Sequence, residues 1–123
     1  GQEAVQTLAE AMELVGLLAL ETFVTKNDTL LFNEIAPRPH NSFHWTIEGC
    51  ATSQFTQLAR CLAGMQLGST ENYGCWQMDN LLGEDMPGLE KLVVEPGLHL
   101  HLYGKASAKS GRKMGHTNRL VKP

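Results

Sequence analysis

The stretch LALETFVTKNDTLLFNEIAPRPHNSFHW, residues 18–45, decides how this chain folds. Two runs rich in leucine and β-forming residues, 17–25 and 29–35, flank the turn signal Lys26-Asn27-Asp28 and read as a β-hairpin. Pro37 and Pro39 end the second strand and keep the chain extended and irregular through His44. With a two-residue loop of Asn27 and Asp28, Lys26 faces Thr29. Stepping outward along the ladder, Glu21 then faces Glu34 on one side of the sheet. Like charges directly opposite destabilise a bare sheet. Both also lie within apolar runs, where an unpaired carboxylate is costly. A cation resolves both problems: two carboxylates and the neighbouring amide of Asn33 make an all-oxygen site suited to Mg²⁺ with bound phosphates. A solvated hairpin edge, or a register slip of one residue, would leave each Glu pointing at water instead. Directly downstream of Glu34, residues Arg38, His40, Asn41, Ser42 and His44 crowd an irregular loop. Arg offers a planar fork for carboxylate or phosphate, and His and Asn add further hydrogen bonds, so the loop suits an anionic substrate.

Upstream, Val5, Leu8, Met12 and Val15 recur at helical spacing, which predicts an amphipathic helix over 3–15 closed by Gly16. Downstream, Phe55, Leu58, Ala59 and Leu62 predict a second helix over about 52–63, capped by Thr52 or Ser53 and ended by Gly64. Residues 66–72 are polar and turn-like. Beyond them the pattern predicts a strand at 73–82, a short helix around 88–94, and strands at 98–105 and 112–120.

Composition narrows the function classes. The 123 residues carry 13 acidic and 10 basic side chains, a formal charge of −3, so no basic excess exists to displace counterions from nucleic acid. A hydrophobic content of 42% supports a packed core. The longest nearly apolar run, Leu14 to Leu20, is far short of the ~20 residues of a membrane helix, and no basic segment precedes it as in a signal peptide. Neither nucleic acid nor membrane is expected as a partner. Cys50, Cys61 and Cys75 form no CxxC pair, which predicts buried thiols in a reducing cytoplasm. His99 and His101 share one strand face, but no third ligand stands at a suitable spacing, so an ordinary strand is the expectation. Gly104 and Gly111 lack the surroundings of a phosphate loop, and Trp45 and Trp76 read as core. Ser42, Ser53 and the cysteines have no general base at a recognisable spacing.

The run LALETFVTKNDTLLFNEIAPRPHNSFHWTIEGCATSQF resembles the end of the ATP-grasp domain of N5-carboxyaminoimidazole ribonucleotide synthases, the ATPase subunit of phosphoribosylaminoimidazole carboxylase in purine biosynthesis. HLHLYGK and GRKMGH resemble that family's small C-terminal domain, and the likeness runs from about residue 3 to 116. The resemblance implies an ATP-dependent carboxylating ligase. Such an enzyme activates bicarbonate with ATP through carboxyphosphate, transfers the carboxylate to aminoimidazole ribonucleotide, and releases ADP and phosphate. By motif position it implies Glu21 and Glu34 as Mg²⁺ ligands and Asn33 with Glu34 beside the nucleotide. Arg38 and His40 would be catalytic, and with Asn41 and Ser42 would face bicarbonate and the ribonucleotide. Lys105 and Arg112 would lie near the ribonucleotide phosphate.

The implied architecture is α/β (α+β). Residues 1–66 would be the C-terminal portion of an ATP-grasp domain (helix, metal-binding hairpin, substrate loop, helix), and 67–123 a small β-rich domain. The chain resembles roughly the last third of such an enzyme. It has no glycine-rich phosphate loop, so it is expected not to turn over ATP alone. Phe43 stands where the family usually has Gly, a bulky ring in a loop that must approach substrate. Two other readings stay open. One is a related ATP-grasp ligase such as formate-dependent glycinamide ribonucleotide transformylase. The other is a non-catalytic remnant acting as an assembly module, with homodimers or association through apolar surface left by the truncation.

Overall fold

The computed structural model describes residues 1–122, which form two compact units. The first comprises residues 1–43 with 54–69, and the second 44–53 with 70–122. The expected division at 66/67 was continuous in sequence; the observed one is not. Segment 44–53 joins the second unit through backbone. Cys50 bridges Asn72, the Ala51 amide donates to the Glu71 carbonyl at 2.9 Å, and the Tyr73 amide donates to Gly49 at 2.8 Å.

In the first unit, helix α1 spans Gln2–Ala11, shorter than the apolar spacing predicts. The stop is a backbone motif. Glu13 sits in the left-handed region at φ 48°, its amide bonds to Glu10, and the Leu14 amide reaches back to Ala9. This is the six-to-one closure that glycine usually makes at a helix end. Gly16 therefore lies in the bend that leads to strand β1 (Ala19–Val24), which pairs antiparallel with β2 (Leu30–Ala36). Residues Asn41–Phe43 make one 3₁₀ turn.

Helix α3 (Gln54–Leu62) belongs to the first unit and ends where Gly64 turns left-handed at φ 64°. Its buried face differs from the expected one. Phe55 and Leu62 are exposed, while Gln54 and Gln57 are buried. Each glutamine clamps a loop backbone with both ends of its amide. Gln57 Nε2 donates to the Gly68 carbonyl at 2.7 Å and accepts from the Gly68 amide at 3.0 Å. On the hairpin, Phe23, Val24, Leu30, Leu31 and Phe32 are all exposed.

The second unit holds α2 (Thr46–Gly49), β3 (Cys75–Leu82), a 3₁₀ segment (Gly83–Gly88), α4 (Leu89–Val93), β4 (Leu98–Leu102) and β5 (Lys113–Lys122). The sheet is antiparallel in the order β3-β5-β4, so β5 is central. Residues 114–118 are buried in succession, as befits a strand covered on both faces. A Cβ on Gly115 would lie 2.2 Å from the His101 carbonyl oxygen, so only glycine fits there. Trp45 and Trp76 are half-buried and both crowd Gly49. The thiols depart from expectation, with Cys75 exposed and Cys50 and Cys61 half-buried. Among the described residues, no helix is long and apolar enough to cross a membrane.

Candidate cation and substrate site

The hairpin brings Glu21 and Glu34 face to face, as the sequence predicts, but by a different route. The loop has three residues, Lys26-Asn27-Asp28. Thr25 closes it by donating its amide to the Thr29 carbonyl at 2.9 Å, and Asp28 turns left-handed at φ 56°. From there Val24 pairs with Leu30, Phe23 with Leu31 and Thr22 with Phe32, one residue out of the expected register. A bulge at Asn33 then restores it, so Glu21 meets Glu34, Leu20 meets Ile35, and Ala19 meets Ala36.

The loop after β2 folds onto this carboxylate pair. The Ser42 hydroxyl donates to Glu21 Oε1 at 2.6 Å, and Asn33 Nδ2 lies 3.4 Å from Glu21 Oε2. The His40 ring lies between the two acids, with Nδ1 3.3 Å from Glu21 Oε1 and Nε2 3.1 Å from Glu34 Oε1. Arg38 Nη2 lies 3.9 Å from Glu34 Oε1, and Arg38 Nη1 donates to the Pro39 carbonyl at 3.1 Å. Asn41 opens the 3₁₀ turn beside them. Six of the expected residues, Glu21, Asn33, Glu34, Arg38, His40 and Ser42, are thus linked by direct polar contacts.

Sequence reasoning missed the residue that holds this loop. Gln54, at the start of α3, accepts from the His40 amide at 2.8 Å and donates to the His40 carbonyl at 2.9 Å. Both bonds are buried, where losing a partner is expensive. The sequence offered no signal beyond a polar residue in a first helical turn. A cavity of about 160 Å³ lies alongside, lined by Leu17, Leu18, Ala19, Arg38, His40, Phe43 and Gln54. Phe43 is therefore a wall of this pocket, as its bulk at a substrate loop suggested.

Lys105 and Arg112 occupy the β4–β5 connection of the second unit. Lys105 Nζ donates to the Lys113 carbonyl and lies 5.5 Å from the Tyr103 ring centroid. Arg112 Nη1 donates to the Ser107 hydroxyl at 3.1 Å. His99 packs near Trp76 at 5.8 Å, whereas His101 stacks on His116 at 4.5 Å and pairs with Glu48 at 2.7 Å. His44 lies on His116 too, at 4.8 Å, and the Tyr103 hydroxyl meets His116 Nδ1 at 2.8 Å. Burial pushes the His116 imidazole down to about 4, and the neighbouring His101 and His44 push the same way against the opposing pull of Glu48. Among the described residues, the group of metal-capable side chains that comes together is Glu21, Glu34 and His40, not the strand histidines.

Known proteins resemble this chain in sequence and in fold. Residues 1–55 match the ATP-grasp domain, and residues 77–122 match the phosphoribosylaminoimidazole carboxylase C-terminal domain. The N5-carboxyaminoimidazole ribonucleotide synthase of Brucella melitensis is 49% identical over 125 residues, covering 98% of this chain and 34% of the relative. The chain belongs to the N5-carboxyaminoimidazole ribonucleotide synthase family. Solved members share its fold. The ADP complex of the Staphylococcus aureus N5-carboxyaminoimidazole synthetase superposes with a TM-score of 0.91 at 40% identity, covering 99% of this chain and 33% of that one. The Aspergillus clavatus synthase, in complex with ADP and 5-aminoimidazole ribonucleotide, gives 0.80 at 35% identity over 87% of this chain and 30% of its own. The chain spans between 13% and 34% of the length of its curated relatives in the synthase family and the related multifunctional proteins.

Proposed function

We propose that this chain supplies the cation carboxylates and part of the substrate pocket of an ATP-dependent carboxylase. That enzyme would convert aminoimidazole ribonucleotide, bicarbonate and ATP to N5-carboxyaminoimidazole ribonucleotide, ADP and phosphate. The observation that carries the reading is the Glu21–Glu34 pair, held face to face with Ser42 and His40 against its oxygens. Donor chemistry supports the fit to Mg²⁺: two carboxylates in direct opposition need a counter-cation, and hard oxygens are what Mg²⁺ prefers. Glu21 and Glu34 would hold the ion, which when bound neutralises charge on the ATP phosphates. Asn33, displaced from the ladder by the bulge, is the side chain proposed beside the nucleotide with Glu34.

Arg38 exposes 61% of its side chain and offers a planar fork to an anion of bicarbonate's size. His40 and Ser42, both anchored to the acids, and Asn41 between them would complete the bicarbonate and ribonucleotide side of the pocket. Lys105 and Arg112 are the cations proposed for the ribonucleotide phosphate. The test is calorimetric titration of the chain with Mg²⁺ and ADP, beside a Glu21→Gln, Glu34→Gln double variant. Binding by the natural chain that vanishes in the double variant is expected; no binding by the natural chain overturns the reading.

The exposed Phe23, Leu31 and Phe32 favour a second reading, an assembly role in which this apolar hairpin surface is covered by association. A mass that rises with concentration in light scattering, without nucleotide or Mg²⁺ binding, would select it.

A further inference from the structure

We propose that Glu84 is the positioning residue of the β4–β5 connection: its carboxylate holds the Gly111 amide and so sets Arg112 for the phosphate of a ribonucleotide. The inference rests on the reading of Lys105 and Arg112 as the cations for that phosphate and adds the group that fixes their loop.

The loop cannot order itself by packing. Between Lys105 and Arg112 run Ala106-Ser107-Ala108-Lys109-Ser110-Gly111, with no apolar side chain larger than alanine. Its order has to come from polar contacts. Arg112 donates from its amide to the Lys109 carbonyl at 3.1 Å and from Nη1 to the Ser107 hydroxyl at 3.1 Å. Lys105 Nζ donates across the ends of the loop to the Lys113 carbonyl. A guanidinium has five N–H groups and an ammonium three, so both cations keep donors for an anion. Among the described residues, neither forms an ion pair.

From outside, the 3₁₀ segment Gly83–Gly88 clasps the loop. The Gly111 amide donates to Glu84 Oε2 at 2.8 Å. Gly111 takes a left-handed φ of 72° directly before Arg112, so this bond acts at the bend from which the guanidinium departs. Gly83 is buried so close to the loop that a Cβ there would lie 2.1 Å from the Lys109 carbonyl oxygen. Asp85 accepts the Leu82 amide at 2.7 Å, which fixes the turn that presents Glu84. The Gly111 amide, with the amide of Glu84 itself and the Ser110 hydroxyl, holds the Glu84 carboxyl below the ordinary glutamate range, so the acceptor is ionised at neutral pH. Glu84 thus spends its charge on backbone rather than on either cation, which leaves both to meet a phosphate.

Ribose 5-phosphate, titrated calorimetrically into the natural chain, Glu84→Gln and Glu84→Ala, tests this. Glutamine keeps an acceptor oxygen for the Gly111 amide and alanine does not. Glu84→Ala should bind about ten-fold more weakly, and Glu84→Gln within about three-fold of the natural chain. Hydrogen exchange at the Gly111 amide should quicken in Glu84→Ala and return toward the natural rate in Glu84→Gln. In the natural chain, saturation with ribose 5-phosphate should slow that exchange, because binding and loop order are coupled in both directions. That measurement decides even if Glu84→Ala does not fold. Equal affinity in all three proteins, tighter binding in both variants, a glutamine variant as weak as the alanine one, or Gly111 exchange unmoved by ribose 5-phosphate overturns the role of Glu84 and leaves the cation reading standing. No binding by the natural chain, or undiminished binding by a Lys105→Ala, Arg112→Ala double variant, overturns both.

Discussion

Acid should loosen the second unit through one side chain, His116. Its imidazole is 2% exposed in the central strand, between His101 and His44, with the Tyr103 hydroxyl on Nδ1 and, among the described residues, no partner for Nε2. Folding lowers its pKa from the ordinary 6.5 to about 4, so the unfolded chain binds the proton more readily than the folded one. Stability is therefore complete above about pH 6.5 and is lost as pH falls toward 4. Linkage gives a loss of about 2 kcal/mol by pH 5, and about half that once screening by solvent around so small a unit is allowed for. Both tryptophans, Trp45 and Trp76, lie in the second unit, so their fluorescence reports its unfolding. Urea titrations at pH 7, 6 and 5 should show the midpoint falling with pH in the natural chain and much less in His116→Gln. The window stays above the ordinary carboxylate range, which keeps acid titration of Asp and Glu out of the difference. Parallel stability–pH curves for the two proteins would refute the reasoning, whatever the absolute stability of the variant.

Three further outcomes follow from the packing. Gly115→Ala places a methyl 2.2 Å from the His101 carbonyl oxygen and should cost about 1–3 kcal/mol, read as a lower urea midpoint in tryptophan fluorescence. Gln54→Ala strips two buried backbone groups of His40 of their partners and should cost the first unit about 2 kcal/mol. It should be seen as faster hydrogen exchange at the His40 amide. Glu13→Gly relieves a left-handed residue at the end of α1 and should raise stability by about 1 kcal/mol, measured by circular dichroism on heating.

The sequence made the hairpin, the loop chemistry and most strands legible because they rest on local signals: β-forming runs, a turn tripeptide, and prolines that end a strand. It misled wherever tertiary packing chose against local pattern. In α3 the apolar stripe of Phe55 and Leu62 stays exposed, and the buried positions go to Gln54 and Gln57, whose amides satisfy loop backbone that no helix-face argument could anticipate. The polar string His116-Thr117-Asn118 lies in the strand the pattern predicts, and despite its polarity it is the most buried part of the second unit. It is tolerated there because Asn118 donates to the His44 carbonyl at 3.1 Å and to Glu48 at 2.5 Å.

The register of the hairpin carries the deeper lesson about the site. A two-residue turn was expected and a three-residue turn formed, which by itself would put Glu21 opposite Asn33 and turn the acids to different faces. The bulge inserts one residue into β2 between the turn and Glu34, and the opposition is recovered. Either feature alone separates the carboxylates; both together bring them into contact at the cost of like-charge repulsion. A hairpin selected only for its own stability would not combine an irregular loop, a bulge and two facing acids. That combination is what a charged ligand between the strands would explain. The bulge also frees Asn33 from the ladder and sets its amide beside Glu21. Deleting Asn33 should therefore leave a regular ladder in which Glu34, now next to Phe32, still faces Glu21, and divalent-cation binding in calorimetry should persist while the hairpin survives by circular dichroism. Lost binding in that deletion would mean that the bulge and the Asn33 amide, rather than the opposition of the two acids, define the site.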